Sequence, residues 1–84
     1  MKIIYSKQAL KYLGKLHKPK REKIIEAIEI AFTTSPPSGD IKKLKGIKNT
    51  YRLRVNDYRV IFNQDYDIIG IIKINSRGAV YNGY

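Results

Sequence analysis

Hydrophobic residues recur with two different periods along this chain. A helical spacing governs the first part, and alternation governs most of the remainder. Lys2-Ile3-Ile4-Tyr5 reads as a short first strand, and Ser6 after it is a good helix N-cap. From Lys7 to about His17 the apolar residues Ala9, Leu10, Leu13 and Leu16 fall at helical spacing, with Lys7, Lys11, Lys15 and Lys18 on or near the other side. Lys18-Pro19 interrupts that pattern, and Pro19 is placed to open a second helix running to about Thr33. Its stripe is Ile24, Ile28 and Phe32, widened by Ile25 and Ala31. The stretch from Thr33 to Asp40 is a loop by composition, so the two helices form an αα-hairpin after the first strand.

Beyond the loop, Ile41-Lys42-Lys43-Leu44-Lys45-Gly46 is basic, with Ile41 and Leu44 as buried anchors. Alternation then predicts two strands, about Thr50 to Val55 and Tyr58 to Gln64, joined by Asn56-Asp57. Both turn residues tolerate the left-handed conformation that a tight hairpin needs. Such a loop pairs Val55 with Tyr58, Arg54 with Arg59 and Leu53 with Val60. Asp65-Tyr66-Asp67 is a second turn. Ile68 to Asn75 is the most apolar run and too β-branched to read first as a helix, so it is expected to be the central or most buried strand. Ser76-Arg77-Gly78 reads as a turn or bulge, and Ala79-Val80-Tyr81 as a last short extended segment. The expected fold is α+β in the order βααβββ: a small, mainly antiparallel sheet with the helical hairpin packed on one face, in one domain over residues 1–84.

The register has an electrostatic consequence. One face of the hairpin carries Leu53, Val55, Tyr58, Val60 and Phe62, suited to lie under the helices. The opposite face carries Arg52, Arg54, Arg59 and Ile61, with Arg54 and Arg59 directly opposed. Like charges opposed across a ladder destabilise it. A lone arginine there would simply solvate a wet sheet face. Three clustered arginines, with Asp57 in the turn as the only acid nearby, favour a surface for phosphate, whose oxygens match the guanidinium fork. An acidic protein partner could use the same residues.

Composition narrows the alternatives. Seventeen Lys and Arg against seven Asp and Glu give +10, a charge that attracts polyanions. Lys43, Lys45 and Lys48 extend the positive field. The chain lacks cysteine and has no evident metal-ligand cluster, so disulfides, a structural zinc and a catalytic metal are not expected, and the cysteine usage fits a cytoplasmic protein. No apolar run is long enough to span a bilayer, and the first residues do not read as a secretory signal, so no membrane role is expected. His17, the single histidine, stands at the end of the first helix, suited to a helix end or to solvent. The arginine face therefore lacks the histidine of the familiar ribonuclease arrangement. Phosphoryl transfer can still proceed by positioning and electrostatic stabilisation. No Gly-rich phosphate loop, nucleophile elbow or paired carboxylate is present. Arg77 and Tyr81 would come near one end of the sheet if the last segment lies beside the hairpin. Otherwise they are a turn residue and an edge aromatic.

Leu44-Lys45-Gly46, Tyr51-Arg52-Leu53-Arg54-Val55, Asp57-Tyr58-Arg59-Val60-Ile61-Phe62 and the ending Arg77-Gly78-Ala79-Val80-Tyr81 together resemble the RelE/ParE superfamily of bacterial and archaeal toxins, with the RelE-like branch most similar. The resemblance covers nearly the whole chain. It implies the toxin of a type II toxin–antitoxin system, a ribosome-dependent mRNA endonuclease that cuts message in the ribosomal A site without a cofactor and is held inactive by an acidic cognate antitoxin. It also implies catalytic roles for Arg52, Arg54, Arg59, Arg77 and Tyr81, while Lys43, Lys45 and Lys48, which extend the positive field, are expected to contact the RNA. Arg59 and Arg77 would bind the scissile phosphate, Arg52 and Arg54 would hold flanking phosphates or orient the nucleophile, and Tyr81 would stack on a base or position the 2′-OH. The first arginine pair is lysine in the best-known RelE branch. Arginine does not give up its proton, which argues against a general-base role at Arg52 or Arg54. Two other readings share the fold: a ParE-like inhibitor of DNA gyrase, and a non-catalytic basic protein that only binds an acidic antitoxin.

Overall fold

The structure is a computed structural model and describes residues 2–34 and 37–76. Its elements are β1 (Lys2–Tyr5), α1 (Lys7–Lys15), α2 (Lys18–Ala31), β2 (Asp40–Lys43), β3 (Thr50–Val55), β4 (Tyr58–Asp65) and β5 (Ile68–Ser76). Among the described residues, five strands form one sheet in the order β1-β5-β4-β3-β2. β1 runs parallel to β5, and the other neighbouring pairs of these five are antiparallel. The α+β architecture with a helical hairpin on one face is as expected, with one strand more. Asp40–Lys43, read from sequence as the end of a loop and a basic stretch, pairs with β3 as an edge strand.

Ser6 caps α1: its hydroxyl accepts a hydrogen bond from the Ala9 backbone N–H, satisfying one of the donors orphaned at a helix start. The same hydroxyl donates to the Ile72 carbonyl of β5, which ties the helix start to the sheet. α2 opens with Pro in its first turn, and His17 holds the cap position without a side-chain cap bond. Ala9 and Leu13 of α1 and Ile24, Ile28 and Ala31 of α2 are buried, with Phe32 just beyond the helix. Leu10 departs from its expected place in the stripe. It is 56% exposed, because it lies about 100° around the helix from Ala9, off the stripe that Ala9, Leu13 and Leu16 share.

The helices cover the sheet face carrying Leu53, Val55, Val60, Phe62, Ile69, Ile71 and Ile74. Aromatic rings join the two layers. Phe62 meets Phe32 edge-on at 4.8 Å and stacks on Tyr51 at 5.4 Å, while Tyr12 of α1 meets Tyr58 at 6.4 Å. The most apolar strand, β5, is paired along both edges, but the middle of the sheet belongs to β4. β5 also carries a bulge. Ile61 pairs with Lys73 and Phe62 with Ile71, which leaves Ile72 as the extra residue. The backbone groups beside the bulge find side-chain partners on the first helical turn, where the Ile74 N–H donates to Gln8 Oε1 and the Ile72 carbonyl accepts from Ser6. No helix among the described residues is long and apolar enough to cross a membrane.

Candidate nucleic-acid interface

The hairpin register is the one that alternation predicts. Val55 pairs with Tyr58, Arg54 with Arg59, and Leu53 with Val60, around a turn in which Asn56 takes a left-handed φ of 52°. Arg52, Arg54 and Arg59 therefore stand on the face opposite the helices. Reading across the strands gives two rows. One is Lys42, Arg52, Ile61 and Lys73; the other is Asp40, Arg54, Arg59 and Asn75. With strands about 4.8 Å apart, each row is about 14 Å wide.

Two cations join this face that sequence reasoning missed, Lys42 and Lys73. Lys73 arrives there through the bulge. Strict alternation from Ile69 and Ile71 would turn Lys73 into the core and Ile74 outward. The extra residue Ile72 reverses the parity, so Ile74 is buried beneath the helices and Lys73 faces out with Ile61. The signal was a lysine interrupting an isoleucine run at a position that alternation would bury. Lys43 pairs with Tyr51 and so belongs to the face opposite Arg52, on the sheet's edge. Lys45 and Lys48 sit in the β2–β3 connection. That loop is held by a hydrogen bond from the Leu44 N–H to the Thr50 carbonyl and by left-handed backbone at Gly46 and Asn49.

The face is less wet than the sequence suggests. Ile61 is fully buried on it, and Arg52 is only 8% exposed. Arg52 Nη1 is enclosed without a hydrogen-bond partner. A buried guanidinium donor left unmade is costly to the fold. Asp57 is also not the acid that matters here. Asp40, the register partner of Arg54, lies with Oδ1 3.6 Å from Arg52 Nη2 and Oδ2 3.8 Å from Arg54 Nε. It was missed because a loop assignment gives no face, whereas a strand assignment puts Asp40 beside both arginines.

His17 is exposed at the α1–α2 junction, on the helical layer rather than at the arginines. The phenol of Tyr5 is pushed above its ordinary value, by burial first and by the charge of Glu29 second, and it packs against the core. Among the described residues no group of His, Asp and Glu is arranged to hold a metal ion. Arg77 and Tyr81, the remaining residues expected at the site, lie outside the described residues.

The family model of the ParE toxin of type II toxin–antitoxin systems matches residues 3–81, nearly the whole chain. The chain belongs to the RelE/ParE toxin family. Toxin RelE3 of Methanocaldococcus jannaschii is 34% identical over 85 residues, covering 98% of this chain and 97% of that protein. Among solved structures, a chain of the RelB–RelE antitoxin–toxin complex from Methanococcus jannaschii superposes with a TM-score of 0.77 at 27% identity, covering 96% of this chain and 98% of that one. A chain of the archaeal RelE–RelB complex from Pyrococcus horikoshii does so at 0.76 and 30% identity, covering 94% and 97%. The isolated E. coli RelE toxin shares the fold, with a TM-score of 0.74 at 19% identity over 96% of this chain and 88% of that one. This RelE/ParE toxin thus combines the fold of its relatives with a sheet face on which the described residues include three arginines, two lysines and one aspartate.

Proposed function

We propose that this RelE/ParE-type toxin is an mRNA endonuclease acting on message in the ribosomal A site, and that its arginine face holds the phosphates of the message. The observation that carries the reading is the hairpin register, which sets Arg52, Arg54 and Arg59 together on the sheet face opposite the helices. The similarity to Toxin RelE3 and to archaeal RelE proteins supports the choice of branch. In the proposed reaction the ribose 2′-oxygen forms a bond to the adjacent phosphorus while the bond from phosphorus to the 5′-oxygen breaks. The products are a cyclic phosphate and a 5′-OH, with the 2′-OH proton lost and one gained by the leaving oxygen. Arg59 and the sequence-assigned Arg77 offset charge on the phosphoryl oxygens as it develops, where such stabilisation counts most. Arg52 and Arg54 hold flanking phosphates, and Tyr81 stacks on a base or positions the 2′-OH. Lys43, Lys45 and Lys48 serve this reading as steering charges.

The proposed regulator is an acidic antitoxin that covers the basic surface, in keeping with the RelB partners of the archaeal relatives. The test is purified protein with ribosomes and a defined mRNA, with cuts mapped by primer extension. Cleaved message is expected from the wild type, and its loss from Arg59→Ala combined with Arg77→Ala. Intact message with wild-type protein bound to the ribosomes would sink the idea. The match to the ParE toxin family model supports one second reading, a ParE-like gyrase inhibitor. Inhibition of gyrase supercoiling without RNA cleavage would select it.

A further inference from the structure

We propose that Asp40 is a displaceable internal counter-ion: it occupies the Arg52–Arg54 pair in the free protein and yields that pair to a phosphate of single-stranded RNA. This rests on the reading of the arginine face as a phosphate-binding surface. Three observations point to it. The two carboxylate oxygens of Asp40 divide between two guanidinium groups, Oδ1 toward Arg52 and Oδ2 toward Arg54, as two oxygens of one phosphate would. The separations, 3.6 and 3.8 Å, exceed a hydrogen bond, so the contact is Coulombic and not locked by geometry. The partners are also unequally buried. Arg52 is enclosed, whereas the Asp40 side chain is 57% exposed and free to swing into water.

An exposed carboxylate at such distances holds its partners weakly. It nonetheless serves the free protein, because Arg52 is nearly buried and Asp40 is the carboxylate that faces it and Arg54 from β2. A phosphate offers the same divided contact, toward Arg52 Nη2 and Arg54 Nε, with more acceptor oxygens. Asp40 thus acts through the arginines as a positioning residue. It keeps the pair aligned at rest and sets a threshold that weakly held anions do not cross.

The experiment measures binding of a short, fluorescently labelled, 2′-O-methylated single-stranded RNA, which resists attack by its own ribose. The proteins are the wild type, Asp40→Asn, Asp40→Glu, Arg54→Ala and the double variant Asp40→Asn with Arg54→Ala, each checked for folding by thermal melting. Removing the competing charge should tighten binding roughly three- to fivefold at low salt, an advantage that added salt erodes. Asp40→Glu, which keeps the charge, should stay near the wild type. The gain from Asp40→Asn should shrink when Arg54 is absent, since the two act on one another. The melting temperature of Asp40→Asn should be lower than that of the wild type without RNA and should rise more when RNA is added. A merely structural Asp40 would not produce that pattern. Wild-type binding that Arg54→Ala weakens, with Asp40→Asn no tighter or Glu and Asn behaving alike, overturns the counter-ion and leaves the phosphate-binding face standing. Binding indifferent to Arg54→Ala overturns both.

Discussion

Arg52 shows how much one side chain on a strand can differ from its neighbour two residues on. Arg52 and Arg54 share a face and an acid, yet the Arg52 side chain is 10% exposed and that of Arg54 46%. A nearly buried guanidinium with an unpartnered nitrogen is an arrangement that stability alone does not favour. Replacing it with an apolar chain of similar length should therefore cost little folding stability, and can add to it. Arg52→Met is expected to melt at the wild-type temperature or above, by the equivalent of roughly 1–3 kcal/mol at most, while losing affinity for RNA. Thermal denaturation beside an RNA-binding titration checks both halves, and a large loss of stability would show Arg52 to be structural. The orientation of the three arginines was legible in the sequence, because alternation fixes it. The burial of Arg52 was not, because burial depends on what the rest of the fold brings alongside.

At the scale of elements, β2 and the β5 bulge decide which charges meet. β2 is short and begins directly after Gly39, whose φ of 113° is a conformation that side-chain-bearing residues avoid. A methyl group there would also come within 3.2 Å of Leu53 Cδ1 in the core. Gly39→Ala should destabilise the protein by roughly 1–3 kcal/mol, and a domain of this size shifts about 4–8 °C per kcal/mol. It should also disturb the entry of Asp40 into the ladder. A melting temperature unchanged by Gly39→Ala would refute this account of the β2 start. The strand was missed because four residues reading Asp-Ile-Lys-Lys carry little apolar signal, and an edge strand takes its identity from its neighbour's hydrogen bonds. The bulge was missed for a related reason. Its extra residue is one isoleucine among several, and its stabilising partners, Ser6 and Gln8, lie 66 residues away in sequence.

The molecule as a whole divides by layer: an apolar seam between helices and sheet, and a basic outer face on the sheet's other side. Its net charge of +10 and the five cations described on that face make binding to RNA an exchange of counterions. With three to five phosphates neutralised on a single strand, the logarithm of affinity should fall against the logarithm of salt with a slope of about −2 to −3.5. Titrations over a range of potassium chloride concentrations measure it. A flat salt response would argue that the basic face is not the binding surface.

The sequence by itself determined the helical hairpin, the β3–β4 register and the common face of Arg52, Arg54 and Arg59. Each follows from a local period or a two-residue turn, which nearby residues suffice to specify. Its motifs also carried the resemblance to the RelE/ParE toxins. Only the tertiary structure decided that Asp40 and Lys42 stand beside the arginines, that Lys73 faces out with them, and that Arg52 is enclosed. Those facts depend on β2 pairing with β3 and on a bulge held by the first turn of α1, contacts between residues far apart in sequence that no local pattern encodes.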